Sequence, residues 1–311
     1  MVERTNITLA GDWGAPAQTL IEKVSDAVGG TVKPWQIRRL ARAEGDAEVI
    51  RAEADLKVKR LIQTATEQDS DVTQRAIERM VNAEVKKQLN IEEITAKAAE
   101  RLTSSAQPDL IEDDFLTDLF SKAENTSDAE MQSLWASILA GEANKRGSFS
   151  RRTLSIVGEL GKEDADLFTL FCRTVCTINT KTVPIISEKV LSALNNGLDF
   201  ESLTHLDSLG LIHFDTSAGF QIDFQSLKDG VNIPFRHFDR RMSICGLGRT
   251  ASIAIGKAIL TRYGAELHNI SGAHRDDSVE IAIIEELIGQ RLAIYSNWPR
   301  GVSIRRAYEE A

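Results

Sequence analysis

Basic and aromatic side chains are interleaved in one segment of the last third of the chain. Aromatic rings beside arginines can hold single-stranded nucleic acid, because bases stack on the rings and phosphates pair with the guanidinium groups. The segment contains Arg236, His237, Arg240, Arg241 and Arg249, with Phe235 and Phe238 between them. A strand that exposes alternate cations to solvent would give the same pattern. We favour the strand for two reasons. The whole chain has 37 Lys and Arg against 46 Asp and Glu, a net charge of −9, and it contains no complete nucleic-acid motif.

Two glycine patterns near this segment predict no nucleotide site. Gly246, Gly248 and Ala251 match the G-x-G-x-x-A form of a dinucleotide fingerprint, which needs a long helix and a second strand after it. Residues 252–260 are instead strand-like. Gly256 and Lys257 lack the other glycine and the hydroxyl residue of a phosphate loop.

Histidine and cysteine positions predict neither a metal site nor a nucleophile. The five histidines are not paired at metal-ligand spacing, and the three cysteines form no disulfide framework. Cys172 and Cys176 lie four residues apart on what the pattern predicts to be one buried helix. We therefore expect no cofactor, no metal and no catalytic residue, and we expect that the protein is not an enzyme.

Residues 36–63 are rich in Ala, Glu and Arg and predict one long helix with a narrow apolar stripe. A narrow stripe indicates close packing against another helix. One interpretation is a hairpin with a helix over residues 72–89, and the other is an oligomer seam. Heptads are not sustained over three or four repeats, which favours the hairpin. As a candidate assembly surface, the stripe includes Ile37, Leu40, Ile50, Val58 and Leu61.

Local signals are strongest after an SSAQP linker at residues 104–108. Ser127 and Glu130 are spaced as a capping box, and the apolar residues that follow fit an amphipathic helix ended by Gly141. Ser150 is a predicted N-cap for the next helix, and a further helix carries Phe168, Phe171, Val175 and Ile178. These elements predict a helical bundle.

Beyond residue 180, two helices are followed by strands at 211–214 and 220–224 that are predicted to form a hairpin. Helix, helix and hairpin indicate a winged-helix-like unit. Its candidate recognition helix, 200–209, carries Glu201 and Asp207 and neither Lys nor Arg, which disfavours DNA binding. An amphipathic packing helix is expected at residues 279–292, with its buried face formed by Ile281, Ile284, Leu287 and Ile288.

The predicted fold class is mainly α. An N-terminal helical arm (residues 1–105) is followed by a central helical bundle (106–180) and by a C-terminal winged-helix-like α+β domain (181–311).

The beginning of the chain has no signal-peptide pattern, and no apolar run approaches the roughly 20 residues of a membrane span, so a cytoplasmic protein is expected. Residues 15–28 form an amphipathic stripe with only Lys23 as a cation, which favours a packed helix over a membrane-surface helix.

Residues 127–168 resemble a bacterial family catalogued as domain of unknown function 2806. The resemblance rests on Leu134-Trp135-Ala136, Leu139-Ala140-Gly141-Glu142, Gly147-Ser148-Phe149-Ser150, Thr153-Leu154 and Asp164-Ala165. The pattern is also similar to the core of abortive-infection alpha proteins, which are associated with bacterial defence against phage. This similarity implies a role in phage defence. No catalytic or binding residues are established for the family, so none is carried over.

Together these patterns favour a non-enzymatic protein-interaction or assembly protein, with a protein partner or self-association. The alternative is nucleic-acid binding through Arg236, Arg240, Arg241 and Arg249.

Overall fold

The computed structural model describes residues 14–29, 56, 71–195, 197–223, 233–246 and 252–296. Those up to Gly158 form one compact unit, and those from Glu159 onward form a second. The three predicted domains, with bounds at residues 105 and 180, stay a prediction. Across these ranges, none of the helices combines the length and the apolar character needed to span a bilayer.

The described part of the first unit is built from helices. They are α1 (Ala15–Ala27), α2 (Asp71–Ala99), a 3-10 turn (Pro108–Leu110), α3 (Asp113–Ala123), α4 (Ala129–Asn144) and α5 (Arg151–Glu159). Helix α2 packs along α4, and α1 packs against α2 and α3. Leu20, Ile21 and Val24 of α1 are buried in this unit, which is the packed-helix arrangement favoured by the sequence.

Two predicted helix starts are found close to their expected positions. The cap of α4 is Asp128 rather than Ser127, since its Oδ1 accepts hydrogen bonds from the amides of Glu130 and Met131 at 3.0 Å. Ser150 caps α5 as predicted, and its Oγ accepts from the Thr153 amide at 3.2 Å. Both caps satisfy amides that the first helical turn leaves without a partner.

The second unit mixes short helices with antiparallel strands. In chain order the elements are α6 (Lys162–Cys172), β1 (Val175–Ile178), β2 (Lys181–Pro184), α7 (Glu188–Ala193), α8 (Phe200–Ser208), β3 (Ile212–Phe214), β4 (Phe220–Asp223), β5 (Ile233–His237), β6 (Arg240–Gly246), β7 (Ser252–Gly256), β8 (Ala258–Leu260), α9 (Arg262–His268), α10 (Asp277–Gly289) and β9 (Leu292–Ser296). One sheet has the order β2-β1-β5-β6-β9. Helix α10 packs against α7 and β9.

The predicted fold class needs a correction: helices predominate, as the mainly α prediction expected, but several antiparallel sheets make the structure an α+β mixture. The helix predicted through Ile178 ends at Cys172, and the next residues form β1. Val175, Thr177 and Ile178 are β-branched, so their stiff side chains favour a strand over a longer helix.

The hairpin on which the winged-helix prediction depended is also absent from the described strands. Strand β3 pairs with β8, and β4 pairs with β7, so the two segments do not pair with each other. Their alternating patterns correctly indicated strands, but a pattern of alternation does not specify the partner. Nothing in the described topology supports a winged helix.

Candidate functional site

Strands β5 and β6 carry the predicted basic strip, and they divide it between two faces of the sheet. Successive side chains of a strand point to opposite faces, and directly opposed residues of paired strands share a face. His237 is opposed to Arg240, and Arg236 is opposed to Arg241. His237 is buried on the inner face, whereas Arg236 and Arg241 are exposed on the outer face.

The turn between these strands is tight and has an unusual backbone conformation. Phe238 and Asp239 alone separate the pair His237–Arg240, and Phe238 has φ of 49°. A positive φ is costly for a bulky residue, so the surrounding contacts must hold this turn in place. The Phe238 ring meets the His237 ring edge-on, with centroids 4.8 Å apart.

His237 and Glu280 form the centre of the inner face. The His237 side chain is fully buried and that of Glu280 is 2% exposed. His237 Nε2 lies 2.9 Å from the carbonyl oxygen of Arg173, and Nδ1 lies 3.3 Å from Glu280 Oε2. A carbonyl only accepts, so Nε2 donates this hydrogen bond.

Two arginines surround the same carboxylate. Arg240 Nε lies 3.1 Å from Glu280 Oε1, and Arg275 Nε lies 4.0 Å from Oε2. Arg275 also pairs with Asp239 and Asp277, each at 3.2 Å. Charges removed from water need such compensation. The cluster therefore joins the β5–β6 turn to the start of α10.

The inner cluster is arranged for stability rather than for chemistry on a substrate. Cys176 is fully buried beside it, and burial first, then the charge of Glu280, raises the pKa of its thiol. A thiol held neutral is a poor nucleophile. His237 and Glu280 are closed to solvent, so no substrate can contact them in this conformation. Within the described ranges, no three His, Cys, Asp or Glu side chains converge as metal ligands would.

The outer face presents a row of side chains across four strands. Thr182 is opposed to Thr177, Thr177 to Arg236, and Arg236 to Arg241. Arg236 Nη2 approaches Thr177 Oγ1 at 3.4 Å, which is long for a hydrogen bond. Neither Arg236 nor Arg241 has an ion pair with another described residue.

The structure thus places the predicted residues in different settings. Phe235 is 1% exposed and contributes to the core, so its ring is closed to a base. Arg240 is bound to Glu280, while Arg236 and Arg241 are exposed. Arg249 lies outside the described residues. So do all five residues of the candidate assembly surface, Ile37, Leu40, Ile50, Val58 and Leu61.

Sequence reasoning missed Glu280. In α10, Glu280 is followed by four apolar residues, Ile281 to Ile284, which together cover all sides of the helix, and a helix of that kind is buried on most sides. A carboxylate beside such a run indicates a buried charge with a basic partner. The amphipathic interpretation instead placed Ile281 in the core, whereas Ile281 is 53% exposed.

The motif that carries the family resemblance has a structural explanation in the first unit. Glu142 is buried, and its two carboxylate oxygens accept hydrogen bonds from the amides of Gly147 and Phe149 at 2.6 and 3.2 Å. Gly141 lies beneath the Phe149 ring, where a Cβ would come within 2.6 Å of Cε2. The Gly141-Glu142 pair therefore fixes the link between α4 and α5.

Comparison with curated proteins and with solved structures gives no match. The similarity to abortive-infection alpha proteins stays a prediction. The model of one family, described as protein of unknown function (DUF2806), matches residues 74–281, about two thirds of the chain. The chain therefore belongs to the DUF2806 family.

Proposed function

We propose that this chain is a non-enzymatic protein-interaction protein that self-associates through the N-terminal half of α2. The observation that supports the proposal is the exposure of large apolar side chains there. Val72 is 67% exposed and Met80 is 61% exposed. Single exposed apolar residues are ordinary on protein surfaces, but a continuous set on one helix face indicates a binding surface.

The exposed residues form part of a regular stripe. Val72, Ala76 and Met80 are spaced by four residues, and so are Ile77, Val81 and Val85 in the adjacent row. The first row is exposed and the second is half-buried. Rows at this spacing are the ridges by which helices interdigitate. The stripe therefore has the form of a helix-packing surface that the described residues leave partly open.

The other half of α2 shows what such a stripe does when it has a partner. Ile91, Ile94 and Ala98 are 6%, 0% and 0% exposed, in the part of the helix that packs within the first unit. Burying Val72 and Met80 to the same degree would stabilise an assembly by about 1.5–3 kcal/mol for each side chain.

Two kinds of helix could occupy the open stripe. One belongs to a second copy of the chain, as in the proposal, and the other is the chain's own segment 36–63, as in the hairpin interpretation. The residues Ile37, Leu40, Ile50, Val58 and Leu61 belong to the candidate surface in either case. Mass in solution separates the two, because only self-association changes it.

The test is light scattering coupled to size exclusion over a range of protein concentrations. We expect a mass that is a multiple of 34.3 kDa for the wild type and a monomer for the double variant V72E/M80E. Asn82→Glu is the matched control, since Asn82 is exposed on another side of the same helix. A wild-type monomer at all concentrations, or a double variant that keeps the multiple mass, would overturn the proposal.

Two further elements belong to this proposal. The location is cytoplasmic, and the assembly acts in phage defence, as the resemblance implies. The corresponding test compares plaque formation on cells that express the wild type, V72E/M80E or N82E. Protection lost only in the double variant would support the proposal, and equal plaque numbers in all three and in empty cells would remove the defence role.

Nucleic-acid binding is the weaker alternative. Only two of the four predicted arginines, Arg236 and Arg241, are exposed in the described residues. Nucleic-acid affinity grows with the number of phosphates neutralised, so a pair of contacts supplies little of it.

A further inference from the structure

Arg236 and Arg241 are a like-charged pair at directly opposed positions of β5 and β6. Opposed residues on antiparallel strands have Cα atoms about 4.5–5.5 Å apart, so the two arginine side chains leave the sheet from neighbouring positions on one face. Like charges at such positions destabilise a sheet. The arrangement therefore has a cost that an anion between the two groups would remove.

The described residues that the register places beside this pair on the same face do not neutralise it. Along the strands, the next opposed pair is Pro234 and Ser243, and across the sheet Arg236 is followed by Thr177 and Thr182. None of these side chains is charged, and the two threonines place hydroxyl groups in the same row as the arginines. Hydroxyls and guanidinium groups are both donors to oxyanions.

His268 lies close enough to Arg236 for its pKa to respond to that positive charge. Burial first, and then the charge of Arg236, lowers the pKa of His268. Its Nδ1 atom is buried without a hydrogen-bond partner among the described residues.

We infer that the outer face of this sheet binds one phosphate group of a small phosphorylated molecule, between Arg236 and Arg241. Two planar guanidinium groups can grip the oxygens of one phosphate in bidentate fashion. A single group fits better than a polymer, because one opposed pair of cations can neutralise one phosphate group, whereas a polymer needs a longer series of cations for appreciable affinity. This site is independent of the α2 surface.

The test is calorimetric titration of the full chain with inorganic phosphate, a nucleoside monophosphate and a 20-nucleotide single strand. We expect the monophosphate to bind, and the variants R236Q and R241Q each to weaken it by about tenfold or more, since hydrogen bonds to charged groups are lost. Lys181→Gln is the matched control, because Lys181 is exposed on the same sheet and its register places it on the opposite face.

A stability measurement checks that the variants are folded. Removing one of two opposed like charges on an exposed face should leave the melting temperature unchanged or slightly raised. Phosphate binding that is equal in the wild type and R236Q/R241Q would overturn the inference, as would no binding of either small ligand. A strand that binds with steep salt dependence while the monophosphate does not would also overturn it, in favour of nucleic acid.

Discussion

His237 Nδ1 lies 3.3 Å from Glu280 Oε2 in a part of the second unit where neither side chain is more than 2% exposed. We expect Glu280→Ala to reduce the free energy of unfolding by about 3–5 kcal/mol, because the substitution leaves the Arg240 guanidinium without its compensating charge and His237 Nδ1 without its hydrogen-bond partner. Urea denaturation followed by circular dichroism measures the change.

Glu285 on the same helix supplies the control. It pairs with Lys189 at 3.1 Å, and both side chains are about half exposed, so Glu285→Ala should cost at most about 1 kcal/mol. Equal losses in the two variants would show that the buried cluster is not what joins the β5–β6 turn to α10.

Asp164 links stability to pH. Burial opposes its ionisation, but hydrogen bonds from His205 Nε2 at 2.6 Å and from the Gly161 amide at 2.8 Å outweigh burial and lower the pKa of the carboxyl. A lowered pKa adds stability at pH values above the ordinary value of about 3.9, and this stability is lost as pH falls through the folded-state value. Wild type and Asp164→Asn should therefore differ in melting temperature at neutral pH and converge in acid.

Melting curves between about pH 2 and pH 7 would check this expectation. Asp166→Asn is the matched control, because Asp166 is exposed on the same helix and the substitution makes the same change of charge. A constant difference between wild type and Asp164→Asn over the whole range would contradict the linkage.

Local sequence signals predicted much of the secondary structure but not the sheet order. The cap Ser150 is as expected, since a cap depends on residues two or three positions away. Strand β4 was recognised, whereas its partner β7 lies about 30 residues further on. Alternation specifies which face of a strand is buried and leaves its neighbour open.

Because the sequence does not specify strand pairing, it also does not show which of the predicted arginines are exposed. Arg240 and Arg241 are adjacent in sequence and indistinguishable by type. The register of β6 places the first beside Glu280 and the second in solvent. Only the pairing with β5, the tight turn and the position of α10 determine which arginine is available to a ligand, and none of these is encoded within the segment itself.

Gly256 makes a close backbone approach that no other residue could make. It ends β7 with φ of 102°, and a Cβ at this position would lie 1.9 Å from the carbonyl oxygen of Ile186. We expect Gly256→Ala to cost about 3 kcal/mol or more, since both the positive φ and the backbone clash oppose it. Gly272→Ala is the control, because Gly272 has φ of 77° and open space around its Cβ position. Thermal unfolding of the two variants separates the clash from the φ effect, and equal losses would mean that the contact with Ile186 can relax.

Glu142 gives the sharpest test of the family motif in the first unit. Its carboxylate accepts hydrogen bonds from the amide of the exposed Gly147 and from the amide of the buried Phe149. If the carboxylate is removed, water can take its place at the Gly147 amide but not at the Phe149 amide. Glu142→Ala should therefore cost about 1–3 kcal/mol, the penalty of one buried amide left without a partner. Trp135 is buried in the same helix and reports unfolding of this unit by fluorescence, in a background where Trp13, Trp35 and Trp298 are replaced by Phe. Glu112→Ala, which breaks an exposed pair with Arg146, should change the unfolding midpoint little. If the two substitutions shift the midpoint equally, the Gly141-Glu142 motif has another role than fixing the α4–α5 link.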